Sequence, residues 1–361
     1  MKKAISRRIA FVSMSSRDSA MWFSYMGLKK AIDCKFDNVD FFFPTNDQDK
    51  HLENEFYYDL SSPIRTLISV LTLSRSLCNN YSSVFVFSQG IFSAFLTLLI
   101  GRRVDVYCWG HEFDSRVKRA GLLRGINYLI SDYLMSFFVK KIFLASKPLI
   151  VHAQNFYSNE KVFYSPLPLS GDFNSDFLKF DRNQFRKMNF VKIVFFGGVT
   201  KYKGLDTLCY LLDSFKDSEI ELVILGRGEL ADISPGIYKR FLEKRNVTWY
   251  NDFVSSDLVA NELIDADFMY VMYDSVTATS QVDIANSLGV PVLASNLPFF
   301  KEKVLDGING YVLEGEDVVD FFVEYLNSPD FISRDEIFKY FHSSGVNSEC
   351  VSRLNDAGVF N

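Results

Sequence analysis

The stretch Val191–Gly204 reads VKIVFFGGVTKYKG, and its meaning turns on the break in its middle. Ile193-Val194-Phe195-Phe196 is an apolar, β-prone run of the kind buried on both faces of a parallel sheet. Gly197-Gly198 ends it, and the chain then carries Lys201 and Lys203 into a helical pattern opening at Leu205. A strand that ends in glycines and leads into a helix leaves backbone N–H groups free at the carboxyl edge of the sheet, where α/β proteins hold phosphates. Lys203 adds a point charge to those donors.

Further strand-like runs follow in order: Glu221–Leu230 (ELVILGRGEL, ending in Gly-x-Gly), Val247–Val254, Ala266–Tyr273, Gly289–Ser295 (GVPVLAS) and Asp306–Val312 (DGINGYV). In that order the segments resemble the donor-binding half of GT-B glycosyltransferases, specifically the family 4 group and its bacterial surface-polysaccharide relatives. The resemblance covers about 150 residues here and extends more loosely over the N-terminal half. It implies an α/β chain of two Rossmann-like domains, with parallel sheets facing a cleft.

The first half keeps a βαβ rhythm consistent with that fold. Strands are expected at Ile9–Ser13, Val39–Phe43, Val84–Phe87, Val104–Trp109 and Lys141–Leu144, with Leu149–Ala153 and Lys161–Tyr164 as short edge segments. An N-terminal domain over residues 1–165, a linker over 166–180 around Pro166-Leu167-Pro168, a second domain over 181–329 and a helical tail over 330–361 are expected. In the GT-B fold such a tail commonly crosses back to the first domain.

Transfer from a nucleotide sugar needs donors for the leaving diphosphate, a pocket for base and ribose, and a group that positions the acceptor hydroxyl. Gly197, Gly198 and Lys203 are the diphosphate candidates. The resembling enzymes usually have an arginine where this chain has Gly198, so Lys201 or Arg227, which lies between two glycines, is the candidate replacement. Thr277, Thr279 and Ser280 precede an apolar helical pattern, and one of them is expected to cap that helix. Family 4 enzymes usually carry a Glu-x7-Glu pair here. In this register the two positions are Val276 and Ile284, so both carboxylates are absent, and Thr279-Ser280 resembles a Ser-Gly variant of related transferases. Asp274 and Asp283 are the nearest carboxylates and the candidates for ribose hydroxyls. Phe253 follows the strand that supplies base contacts, with core packing its more ordinary reading.

His111 ends a first-half strand beside Gly110 and resembles the family histidine near the reacting centre, which makes it the catalytic candidate. Ser15, Ser16 and Arg17 follow the first strand, in the loop that usually frames the acceptor. Asp265-Ala266-Asp267 is a D-x-D string between a helix end and a strand start, read as structural. No metal and no cofactor beyond the nucleotide-sugar co-substrate are expected.

Composition bounds the rest. Of 361 residues, 48% are apolar and 36 are Phe, which suits a folded two-domain chain, and a net charge of −5 gives no reason to expect nucleic acid. Five widely spaced cysteines form neither a disulfide framework nor a metal pattern, so a reducing cytoplasm is the default. Between Arg116 and Lys147 seven basic residues face one acid, Asp132. That points to a peripheral contact with an anionic membrane, while the apolar stripe Leu122, Leu123, Ile126, Leu129, Ile130, Tyr133, Phe137 is expected to be mostly core. The leading expectation is a metal-independent hexosyltransferase-type enzyme acting on a lipid-linked or oligosaccharide acceptor in O-antigen or capsule synthesis. A non-catalytic GT-B subunit and a nucleotide-sugar epimerase are the rivals.

Overall fold

The computed structural model describes residues 8–14, 20–33, 35–44, 54–59, 61–87, 90–110, 122–169, 190–229, 233–327 and 332–360. The chain divides into two units, Met1–Ser170 with Val346–Asn361, and Gly171–Gly345.

The first unit runs β1 (Ile9–Val12), α1 (Ala20–Asp33), β2 (Val39–Pro44), β3 (Glu55–Tyr58), α2 (Pro63–Asn80), β4 (Ser83–Val86), α3 (Ile91–Ile100), β5 (Asp105–Gly110), α4 (Leu122–Phe138), β6 (Val139–Leu144), α5 (Lys147–Ala153) and β7 (Val162–Tyr164). Its seven strands are all parallel, in the order β3-β2-β1-β4-β5-β6-β7. The second unit runs β8 (Val191–Phe196), α6 (Leu205–Ser214), β9 (Ile220–Leu225), α7 (Pro235–Glu243), β10 (Val247–Tyr250), α8 (Ser256–Ile264), β11 (Phe268–Val271), α9 (Gln281–Ser287), β12 (Val292–Ser295), α10 (Pro298–Lys303), β13 (Gly310–Leu313), α11 (Val318–Asn327) and α12 (Arg334–Ser344). Its six parallel strands take the order β10-β9-β8-β11-β12-β13. The last helix, α13 (Val346–Asp356), belongs to the first unit and packs on α1. The tail is therefore divided at Gly345, not a single segment.

Phenylalanine fills both cores because strands covered by helices on two faces need bulk on each. Phe11 lies at the centre of the first sheet, stacked on Phe85 at 4.9 Å and near Phe41 at 5.6 Å, while the Tyr25 hydroxyl donates to Phe11 O at 2.9 Å. In the second unit Phe268 meets Tyr325 at 4.9 Å and Phe322 at 5.9 Å. Serine caps set helix starts: Ser62, Ser234, Ser255 and Ser333 each accept from the N–H three residues on.

Two expectations are corrected, and one strand, β3, is added. Leu149–Ala153 is helical, because Pro148 sits in the first turn where its fixed φ suits a helix. Strand β3 pairs with β2, although its four residues, EFYY, carry no clear alternation. The stripe on α4 is not core: Ile126, Leu129, Ile130, Tyr133 and Phe137 are all exposed.

Candidate functional site

In a 3-2-1-4-5-6 sheet the strand order reverses between the first and fourth strands, and ligands bind outside their carboxyl ends. In the second unit those strands are β8 and β11. Gly197-Gly198 leave β8 there, and Tyr273 follows β11. The carboxyl edge of β8 thus gathers the stretch from which the sequence reading began.

Gly197 has φ +101°, and a Cβ on it would lie 2.9 Å from Lys203 Nζ and 2.5 Å from Gln281 Nε2. Only a bare Cα lets lysine and glutamine close on this turn. The Gly197 N–H is already bonded to Leu225 O, and that of Val199 to Arg227 O, both at 2.8 Å. The Gly198 N–H has no acceptor among the described residues, and Gly198 is exposed. Of the two glycines, it is the second whose amide is available to a ligand.

Lys203 closes a short 3-10 turn, Lys201–Lys203, and is 7% exposed. Its ammonium lies 5.3 Å from the Tyr273 ring centroid and 5.5 Å from that of Phe195. Among the described residues neither a carboxylate nor a hydrogen-bond acceptor meets it. Burial accordingly pulls its pKa from the ordinary 10.5 down to about 7. Two aromatic faces are a weak substitute for an anion, so the cation is poised for one. Beside it Thr200 Oγ1 is buried without a partner among the described residues.

Gln281 is the residue the sequence reading missed. The Tyr273 hydroxyl donates to its Oε1 and its Nε2 donates to Phe196 O, tying the first turn of α9 to the ends of β8 and β11. The available signal was an amide at the head of the run QVDIANSL, whose members, polar ones included, are all buried. Of the three candidates, Ser280 holds the cap position of α9, without a side-chain bond, and Thr279 Oγ1 accepts from Gln281 N at 3.3 Å. Thr277 is half-buried nearby in sequence, before that turn.

The other candidates are dispersed. Asp283 is buried and pairs with Lys303 at 3.3 Å, so its carboxylate is neutralised from α10. Asp274 is exposed, and its N–H donates to Tyr202 O at 2.9 Å. Desolvation, then repulsion from Asp206, raises its pKa against the pull of Lys201. Arg227 is exposed and pairs with Glu229 at 2.6 Å. Phe253 is 57% exposed, which overturns core packing as its ordinary reading. Ile284 is buried, a core side chain in the family's glutamate position. Asp267 accepts from Lys192 N at 2.9 Å, a structural role for the D-x-D string. Among the described residues no group of His, Cys, Asp and Glu could hold a metal ion. His111, Ser15, Ser16 and Arg17 lie outside the described residues.

The segment Gly289–Gly310 is scaffold. Asn309, 1% exposed, donates to Asn286 Oδ1 at 2.9 Å and Lys303 O at 3.1 Å, and accepts from Leu305 N at 2.7 Å. Asn286 returns bonds to Val290 O and Asn309 O. This network locks α9 to β12 and β13 and so fixes where Gln281 points.

The architecture is that of the GT-B fold. Residues 191–327 match the family described as glycosyl transferases group 1. The chain thus has the GT-B fold, and its second unit is similar to glycosyl transferases group 1. Similar solved structures include HepE of Anabaena in complex with UDP and glucose (TM-score 0.76, 12% identity, covering 97% of this chain and 100% of that one). Sucrose-phosphate synthase of Thermosynechococcus elongatus has a TM-score of 0.76 at 11% identity, covering 98% and 100%. WaaG, a glycosyltransferase involved in lipopolysaccharide biosynthesis, has a TM-score of 0.72 at 13% identity, covering 97% and 99%. No curated protein sequence matches the chain significantly.

Proposed function

We propose that the chain moves a hexosyl group from a nucleotide-sugar donor to a hydroxyl of a lipid-linked or oligosaccharide acceptor in surface-polysaccharide synthesis of the O-antigen or capsule kind. The observation that carries this reading is the buried ammonium of Lys203, which meets no acceptor among the described residues, beside Gly197 at the switch point of the second sheet. HepE binds UDP and UDP-glucose and WaaG acts in lipopolysaccharide biosynthesis, which supports the donor class and the setting.

In this mechanism negative charge gathers on the departing diphosphate as the sugar bond breaks. Lys203 and the Gly198 N–H meet that charge from fixed positions, without reorganising at the moment of reaction. Gln281 holds the turn in place. The reading needs no metal, and His111 keeps the positioning role that the family resemblance gives it. The membrane contact expected of Arg116–Lys147 also belongs to it.

The test is a titration of the purified chain with UDP, GDP, dTDP and ADP by thermal shift, followed by transfer assays with sugars of the nucleotide that binds. One nucleotide should raise Tm in a concentration-dependent way. Failure of all four would sink the donor site. Ile284 and Val276, standing where the family has glutamates, favour a second reading as a nucleotide-binding, non-catalytic subunit. Tight nucleotide binding without transfer or sugar hydrolysis selects it.

Proton linkage gives an independent check. Free Lys203 is mostly neutral above pH 7, and an adjoining diphosphate favours its charged form. Binding at pH 8 should therefore take up nearly one proton per site. Affinity should be greatest below pH 7 and fall as pH rises towards the bound-state pKa, by at most about tenfold per pH unit. Calorimetry at pH 8 in buffers of different ionisation enthalpy measures the uptake, and a value of zero contradicts the assignment.

A further inference from the structure

A buried amine without a counter-ion is open to chemistry that a charged surface lysine is not. Lys203 is 7% exposed, meets no carboxylate or hydrogen-bond acceptor among the described residues, and has the Tyr273 and Phe195 rings within 5.5 Å of its Nζ. Desolvation alone brings its pKa to about 7. The elements around it supply no charge that reverses this. From α9 comes the neutral amide of Gln281, and Asp283 on the same helix is already paired with Lys303. Past the end of β11 stands Tyr273, whose phenol burial pushes well above 10 and whose hydroxyl donates to Gln281. Asp274 and Lys201 are exposed and take no part in the shift. At pH 7.5 about three-quarters of Lys203 is therefore free amine, against about one part in a thousand for an ordinary lysine.

Hydrogen-bond donors with unused capacity lie on the same turn. The Gly198 N–H has no acceptor among the described residues and is exposed. Thr200 Oγ1, at the start of the turn that carries Lys203, is buried without a partner among the described residues. Gln281 Nε2 uses one N–H on Phe196 O and closes on the same bare Gly197 as Lys203 Nζ. We propose that Lys203 is a carbamylation site: carbon dioxide adds to its Nζ, and the resulting carbamate is held by these donors. The Nζ lone pair bonds the carbon, one C=O electron pair moves onto oxygen, and the nitrogen releases a proton to solvent. The step needs no oxidant, reductant or leaving group. Carbon dioxide is small and uncharged, so it passes two aromatic rings to an amine that a bulky acylating agent would not reach. The adduct reverses the sign of the site, setting negative charge where the proposed function places a diphosphate, so carbon dioxide and a diphosphate exclude one another. That consequence rests on the proposed function, whereas the carbamate rests only on the amine and its surroundings. At fixed carbon dioxide pressure, formation releases one proton above pH 7 and nearly two well below it, where Lys203 must first lose its own. Occupancy should therefore rise with pH.

The experiment equilibrates the full chain with carbon dioxide at pH 7.5, traps carbamates with triethyloxonium ion, which ethylates them, and maps the peptides by mass spectrometry. Lys203 should carry the ethoxycarbonyl mark at least about tenfold more often than the exposed Lys216 and Lys239. Lys203→Met should erase the mark, together with one carbonyl resonance in carbon-13 spectra under labelled carbon dioxide. Thr200→Val removes an unpartnered hydroxyl, so the melting curve should hold while the marked fraction falls at least about threefold. Inorganic pyrophosphate should suppress the mark, and carbon dioxide should weaken pyrophosphate binding at least about threefold. A mark on Lys203 no greater than on the exposed lysines overturns the proposal, as does occupancy that falls with rising pH at fixed carbon dioxide pressure. A strong mark that pyrophosphate leaves untouched upholds the carbamate and removes Lys203 from the diphosphate site, so the two readings fail separately.

Discussion

Lys203→Met should make the ligand-free protein more stable and the nucleotide complex weaker. The lysine is buried, no anion meets it among the described residues, and a depression from 10.5 to about 7 corresponds to on the order of 5 kcal/mol of unfavourable burial. Methionine fills similar space without that penalty, so Tm of the free protein should rise by roughly 5–10 °C at neutral pH. The sign with pH follows from proton counting. Between pH 7 and 10.5 the unfolded chain holds a proton on Lys203 that the folded chain lacks, so wild-type stability climbs with pH through that window. The advantage of methionine is full below pH 7 and fades towards pH 10.5. Nucleoside-diphosphate affinity should meanwhile drop about 100-fold, because a charge-assisted phosphate contact in a dry site is lost. Thermal melts from pH 6 to 10 and nucleotide titrations measure both halves. Unchanged affinity would remove Lys203 from the site. An unchanged Tm would mean that its burial is not strained.

Much of this site was legible because the strand and turn signals are local. VKIVFFGG announces a buried strand and its break, and Lys203 follows at fixed distance. What was not legible depends on partners far along the chain. Asp283 looks like a free carboxylate until Lys303, 20 residues on, is seen beside it. Gln281 looks like an ordinary first-turn residue until Phe196, 85 residues earlier, accepts its amide. The α4 stripe misled for the converse reason. Periodicity says that one face is apolar, but not whether another element covers it, and here none of its five outer side chains is covered. The same limit applies to Phe253, whose apolar ring suggested a core that does not reach it.

Loss of the glutamate pair also takes on a physical sense. Ile284 sits in the buried run of α9, where a carboxylate would need a partner, and the helix is secured instead by Asn286 and Asn309. A site with a buried cation, a bare glycine amide and a fixed scaffold has the parts that the proposed function assigns to a diphosphate. The parts that would grip the sugar have to come from other residues, and Gln281 and Tyr273 are the polar groups already at that edge.

Gly204→Ala should be the most damaging small substitution in the second unit, at about 3–5 kcal/mol. Gly204 joins the Lys203 turn to α6 with φ +68° and ψ 35°, a left-handed conformation that costs a residue with a Cβ about 1–2 kcal/mol. The added methyl would also lie 1.8 Å from Met272 O, a backbone atom just past β11 that cannot swing aside as a side chain could. The Tyr270 hydroxyl, itself 3.0 Å from the added methyl, donates to Gly204 O at 2.6 Å, so the turn cannot shift without breaking a buried bond. Domains are stable by only about 5–15 kcal/mol, so the variant should unfold at much lower urea, with a midpoint shift and an unchanged slope. Gly236→Ala is the control. It lies in the first turn of α7 with nothing within 4 Å of the new Cβ, and it should be neutral or stabilising by up to about 1 kcal/mol. Equal midpoints for the two variants would mean that the turn yields. Lys203 would then owe its position to something other than the close approach of Gly204 to β11.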